Sequence, residues 1–178
     1  MNAPDFDAAA AFIAANARVL DRRRFQRMFG DGAAWLVRDA VAAYRNGDGG
    51  FGHALEPDCR APGSQPLAVE MALRIMDELG RVGPLIIDRD LVTLDPEAPG
   101  EVHTPLDFAP EPDSLARGLF DDVTIKTHLD HLAQGQRADG GWMFNWLAWS
   151  PAAEREWRGF LTVDALRILR ANGYLAQP

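Results

Sequence analysis

The chain has a single cysteine, Cys59, so no intrachain disulfide can brace it. It is short of basic residues: 18 Lys and Arg stand against 26 Asp and Glu, a formal charge of −8. A surface of that sign repels phosphate backbones, so nucleic acid is not an expected partner. No run approaches the roughly 18 uncharged apolar residues of a membrane-spanning helix, and no membrane span is expected. Met1 to Phe6 lack the basic start and apolar stretch of a secretory signal. These absences lead to the expectation of a cytoplasmic protein. Apolar side chains are plentiful at 47%, enough for a sizeable core, and 178 residues suit a single domain.

Apolar residues recur at helical spacing along most of the chain. Ala9, Phe12, Ile13, Ala17 and Leu20 mark a helix over roughly 8–20. The basic run Arg22, Arg23, Arg24 and Arg27 alternates with Phe25, Met28 and Phe29, as in a short amphipathic helix with a solvated face; a phosphate clamp is the sharper alternative. Val37, Ala40, Val41 and Tyr44 mark a helix over 33–44. The stripe Ala68, Met71, Ala72, Ile75, Met76 and Leu79 marks one over 64–79, with Ser64 as N-cap and Gly80 at its end. Two more are expected over 120–136 and 152–171. Between them, 84–112 holds six of the twelve prolines, with Leu85-Ile86-Ile87 and Leu91 to Leu94 as short extended pieces. Its apolar content argues that this arm is packed. The organisation is one domain: N-terminal helices over 1–80, the Pro-rich arm over 81–118 and C-terminal helices over 119–178.

One turn occurs twice. Asp48-Gly49-Gly50-Phe51-Gly52-His53 and Asp139-Gly140-Gly141-Trp142-Met143-Phe144 each follow a helix and lead through an aromatic loop into another. Paired glycines let the chain leave a helix through positive φ, and the aromatic folds back over the core. Leu132, Gln136, Gly140 and Trp142 have the spacing Leu-x3-Gln-x3-Gly-x-Trp, which resembles the QW motif of squalene-hopene and oxidosqualene cyclases. In the earlier copy Arg45 stands at the Gln position and Phe51 at the Trp position. Protein prenyltransferase β subunits carry similar Gly-Gly-Phe turns. The resemblance covers roughly 37–80 and 124–173. It implies an all-α fold of the α/α-toroid kind, in which Gln136 and Trp142 are structural.

The reactive motifs of those families are absent. There is no Asp-x-Asp-Asp acid. Asp121-Asp122 begins Asp-Asp-x-x-Thr, without the last carboxylate of a magnesium motif, and suits a helix start better. Asp58, Cys59, His53 and His103 do not match the zinc spacing of prenyltransferases, and His128 with His131 give only two ligands. No metal and no cofactor are expected. A closed ring of six helix pairs, at about 32 residues per pair, needs roughly 190 residues. The chain therefore reads as an incomplete toroid of three to four pairs.

Function is expected in the loops after the turns. Four of the five tryptophans fall within 142–160. Phe51, His53, Glu56, Asp58, His103, Trp142, Asn145, Trp146 and Trp149 are the candidate ligand-binding residues for a hydrophobic or aromatic small molecule. The alternative is that the aromatics only seal a core. His53 with Glu56, and His103 with Asp107, are candidate acid/base pairs; Glu101 and Thr104 lie beside the latter. Catalysis by an isoprenoid cyclase or prenyltransferase, and a non-catalytic remnant, are the rival readings. An incomplete ring must also cover the Met71-Ile75-Leu79 and Ile125-Leu129-Leu132 stripes. The arm (Leu85, Ile86, Ile87, Leu94, Leu106, Phe108) can shield one flank, and a homodimer is expected to shield the other.

Overall fold

The structure, a computed structural model, describes residues 3–79, 93–97 and 102–175. Among these residues the chain is helical and contains no strand. Its helices are α1 (Phe6–Asn16), α2 (Val19–Phe29), α3 (Ala34–Ala42), α4 (Pro66–Asp77), α5 (Pro105–Phe108), α6 (Asp122–Gln134) and α7 (Pro151–Ala171). The Leu85-Ile86-Ile87 piece, Leu91 and Val92, Gly80 and Glu101 lie outside the described residues.

Local chemistry accounts for the starts of α1, α4 and α6. Asp5 Oδ1 accepts the Ala8 N–H at 2.9 Å and starts α1. The single helix expected over 8–20 is broken: α1 stops at Asn16, and Arg18 takes an extended conformation before α2. The break has two tertiary causes. A Cβ on Gly159 of α7 would lie 2.7 Å from the Ala17 methyl, so the two backbones meet closely there. The Arg18 Nη1 group donates to the carbonyls of Ala54 and Leu55 at 3.1 and 2.8 Å. At α4 the expected N-cap, Ser64, is used elsewhere: its hydroxyl donates to Asp48 at 2.7 Å. Gln65 is the N-cap instead, and Pro66 occupies the first helical position, where its missing N–H costs nothing. Asp121 accepts the Thr124 N–H at 2.7 Å and caps α6, which accounts for the acidic pair.

The chain divides into two compact units. The Gly-Gly-Phe unit comprises Ile13–Gly83 and Ala148–Phe160; the Gly-Gly-Trp unit comprises Met1–Phe12, Pro84–Leu147 and Leu161–Pro178. In the first, α2 packs on α3, and Leu20, Val37, Val41, Leu55, Ala68, Met71, Ala72 and Ile75 are buried. In the second, Leu106, Ala109, Ala116 and Phe120 from the Pro-rich arm and its end pack with Ile125 and Leu129 of α6. The arm therefore contributes core, and it contains the short helix α5 and a 3-10 turn over Leu115–Leu119. Of the two stripes, Met71, Ile75, Ile125 and Leu129 are at most 5% exposed, while Leu79 and Leu132 are half-buried.

The two glycine turns match bond for bond. Asn46 N–H donates to Gly50 O at 2.8 Å, and Arg137 N–H to Gly141 O at 2.9 Å. Gly49 N–H reaches Asn46 O at 3.0 Å, and Gly140 N–H reaches Arg137 O at 2.8 Å. Asp48 and Asp139 each accept the N–H two residues on, at 2.9 and 3.2 Å. Gly49 and Gly140 sit at φ of 89° and 87°, where a side chain is strained. Each turn closes an isolated bridge, Arg45 with Phe51 and Gln136 with Trp142.

Candidate functional site

The candidate residues fall in both units. Phe51, His53, Glu56, Asp58 and Trp149 belong to the Gly-Gly-Phe unit, and His103, Asp107, Trp142, Asn145 and Trp146 to the other.

In the Gly-Gly-Phe unit the loop after the turn bends through two consecutive left-handed residues, His53 (φ 55°) and Ala54 (φ 63°). Non-glycine residues adopt this region only where surrounding contacts hold them. Two contacts do so: Arg18 grips the carbonyls of Ala54 and Leu55 from below, and His53 N–H donates to Ala61 O at 3.0 Å. Beyond the bend, the Asp58 carboxylate joins distant segments. Oδ1 accepts the Trp149 N–H and Oδ2 the Trp157 Nε1–H, both at 2.9 Å. Arg60 pairs with Glu156 at 3.0 Å on the same segment. The outcome is an anchored loop beside Trp149, a residue left 83% exposed.

Below the loop lies a chain of charges. Arg18 Nε donates to Asp21 at 2.8 Å, and Asp21 also pairs with Arg24 at 3.3 Å. Arg24 continues to Glu78 through Nε at 2.9 Å and through a second, short contact from Nη2. Its guanidinium also lies 4.4 Å from the centre of the Phe160 ring. Burial acts to lower the Arg18 pKa, but Asp21, with Tyr44 and Glu156 adding to it, brings the net shift upward. Burial pushes the Tyr44 phenol up, with Arg18 pulling the other way. Arg24, expected on a solvated face with the rest of its run, is fully buried, whereas Arg22 and Arg27 are exposed. Its two carboxylate partners occupy the guanidinium, which is the reason it is no phosphate clamp.

The members of the two acid/base pairs each have another partner. The His53 ring meets the Asn46 side chain at 2.9 Å rather than Glu56. Glu56 accepts the Asp58 N–H at 3.3 Å. Asp107 is the third residue of α5 and closes its capping box, accepting the Thr104 N–H at 2.6 Å, while His103 tilts against Phe108 with centroids 5.3 Å apart. Ser64 donates to Asp48, whose carboxyl is held below its usual range by Ser64 and the Gly50 N–H. A carboxylate so stabilised is a poor base, and that contact fixes the turn. Among the described residues no three His, Cys, Asp or Glu side chains are grouped to hold a metal ion.

In the Gly-Gly-Trp unit the aromatics divide. Trp142 is 4% exposed, donating Nε1–H to Leu132 O at 2.8 Å and N–H to the Thr162 hydroxyl at 3.1 Å. It belongs to the core. Phe144 and Trp146 tilt against each other with ring centroids 4.6 Å apart on the loop beyond, and Asn145 between them is exposed. Gln136 accepts the Asp5 N–H at 2.7 Å and donates to Asp5 O at 2.8 Å and Gly140 O at 3.0 Å.

Sequence reasoning missed Arg18, Asn46 and Tyr44 as members of the Gly-Gly-Phe cluster. Arg18 reaches the carbonyls of Ala54 and Leu55, and Asn46 that of Pro62, across 16 to 37 residues that no local pattern bridges. No family model matches the chain, and neither a curated protein nor a solved structure matches it.

Proposed function

We propose that the Gly-Gly-Phe unit binds a hydrophobic or aromatic small molecule on the face presented by Trp149, and that the chain is a shortened relative of the α/α-toroid proteins. The observation that carries the binding reading is the anchoring of an exposed indole. Trp149 is 83% exposed, yet its backbone is fixed to Asp58, which also holds Trp157. A preorganised aromatic face binds a flat or isoprenoid ligand with little further ordering. Asp58 acts as a brace, since both its oxygens accept N–H groups; no proton-transfer role is assigned to it. The toroid reading is supported by the matching bonds of the two turns and the Gln136–Trp142 pair.

The test is tryptophan fluorescence during titration with farnesol and, separately, with indole acrylic acid as an aromatic probe. Saturable quenching that disappears in Trp149→Ala is expected with at least one probe. No saturable change up to the solubility limit, or identical titrations in the variant, would refute the reading.

A further inference from the structure

The two turns match internally but differ in what lies on their glycines. At the second turn a Cβ on Gly140 would sit 2.1 Å from the Ala8 carbonyl oxygen, and one on Gly141 would sit 2.7 Å from the Phe12 ring. Both neighbours belong to α1. Gln136 completes the seat by bonding the Asp5 N–H and C=O at the start of that helix. The second turn is thus a receptor for a helix N-terminus: glycines admit the backbone and one side chain reads the capping residue.

At the first turn, among the described residues, a Cβ on Gly49 would meet only the flexible end of Arg45, at 3.6 Å. Arg45, in the place of Gln136, is exposed and donates Nε–H to Gly49 O at 3.4 Å, as Gln136 does to Gly140 O. Gly50 packs on Ser64. From Ser64 an open groove of about 450 Å³ runs along α4, lined by Ser64, Gln65, Pro66, Val69, Glu70 and Leu73. Its walls are mainly apolar, and Leu73 is 50% exposed.

We infer that the first turn and this groove bind an amphipathic helix of a protein partner, with the partner's acidic N-terminal turn on Arg45 and its apolar face along Pro66, Val69 and Leu73. The replacement of Gln by Arg sets the acidic requirement. Glutamine both accepts and donates, so Gln136 can bond a capping residue's N–H and C=O together. A guanidinium only donates, carries a full charge, and matches a carboxylate in fork geometry. Carboxylates in a helix's first turn are also favoured by its dipole. A small residue must face Gly49, as Ala8 faces Gly140. The chain's own α1 shows the class, with Asp5 and Asp7 ahead of Ala8, Ala9 and Phe12. In a second copy α1 is already seated on its own second turn, so a separate partner is the better occupant. This surface is independent of the Trp149 face.

The probe is an acetylated synthetic peptide with the sequence of residues 4–16, titrated into the ¹⁵N-labelled chain. Saturable shifts of the Gly49 and Gly50 amides are expected. Arg45→Glu should fold normally, since Arg45 is exposed, and should weaken the peptide by at least about tenfold through like-charge repulsion. The same peptide carrying Lys in place of both aspartates should bind no better to wild type than the parent peptide binds to Arg45→Glu. Absence of shifts at Gly49 and Gly50 at millimolar peptide would overturn the inference. So would shifts confined to Gly140 and Gly141, or unchanged binding by Arg45→Glu. Sedimentation of the chain alone closes the alternative: a dimer abolished by Arg45→Glu would assign the surface to a second copy and overturn the separate-partner reading.

Discussion

Replacing Arg24 by methionine tests how the buried charges are balanced. Arg24 and Asp21 are 0% exposed and the Glu78 side chain only 9%. Methionine fills much of the arginine stem's volume but removes the guanidinium. Asp21 keeps Arg18 at 2.8 Å, so the main loss falls on Glu78, which loses both of its contacts with the guanidinium. Breaking one partner of a buried pair costs about 3–5 kcal/mol, and the lost contact over the Phe160 ring acts in the same direction. For a chain of this size each kcal/mol lowers Tm by about 2–4 °C, so the expected drop is about 6–20 °C. The double variant Arg24→Met with Glu78→Leu removes both members of the pair and should recover more than half of that loss, because replacing a whole buried pair by apolar groups is often neutral. Thermal melts followed by far-UV circular dichroism, completed into a double-mutant cycle, give both quantities. A single-variant loss below about 1 kcal/mol, the upper range of an exposed ion pair, would refute the reasoning. A double variant less stable than the single would do so as well.

Trp142→Ala should cost about 3–5 kcal/mol, as for a buried aromatic truncated to alanine, and urea titration should show it. Gly140→Ala should destabilise far more than Gly49→Ala: both residues have positive φ, but the new methyl would meet the Ala8 carbonyl oxygen at 2.1 Å in one case and only a movable arginine end in the other. Equal melting temperatures for the two variants would count against that contrast. Stability should also decline as pH falls below about 6.5, through His128. Burial lowers the pKa of this 3% exposed ring, its contact with Leu94 O at 3.1 Å offsetting part of the effect. The unfolded chain therefore takes up the proton first, and stability is lost between the unfolded value and the lower folded one. His128→Gln should flatten this part of the urea-midpoint profile against pH.

What the sequence disclosed was what is local. The stripes of α3, α4, α6 and α7 were legible because each repeats an apolar face over several turns. The repeated turn was legible because its bonds close within a few residues. The gap between α1 and α2 was not, since neither Gly nor Pro marks it: Gly159 and the Arg18 carbonyl contacts impose it from afar. The four residues of α5 are too few to show a period. No spacing singled out His103 with Asp107 among the polar residues of the arm, and a capping box uses that carboxylate. The bracing of Trp149 and Trp157 by Asp58 spans 91 and 99 residues, and no local pattern encodes it.

The seat of α1 on the second turn has a consequence for the order of folding. Asp5 and Gln136 are 131 residues apart, and they exchange two hydrogen bonds. On a ribosome adding about 5–20 residues per second, roughly 7–26 s separate the synthesis of one from that of the other. Through that interval α1 has no Gly140 to rest on, and Phe12 has no Gly141 beneath its ring. The first turn, by contrast, can close as soon as Phe51 emerges. A chain released before Gln136 would carry an unseated N-terminal helix with its apolar face open, the kind of surface chaperones hold.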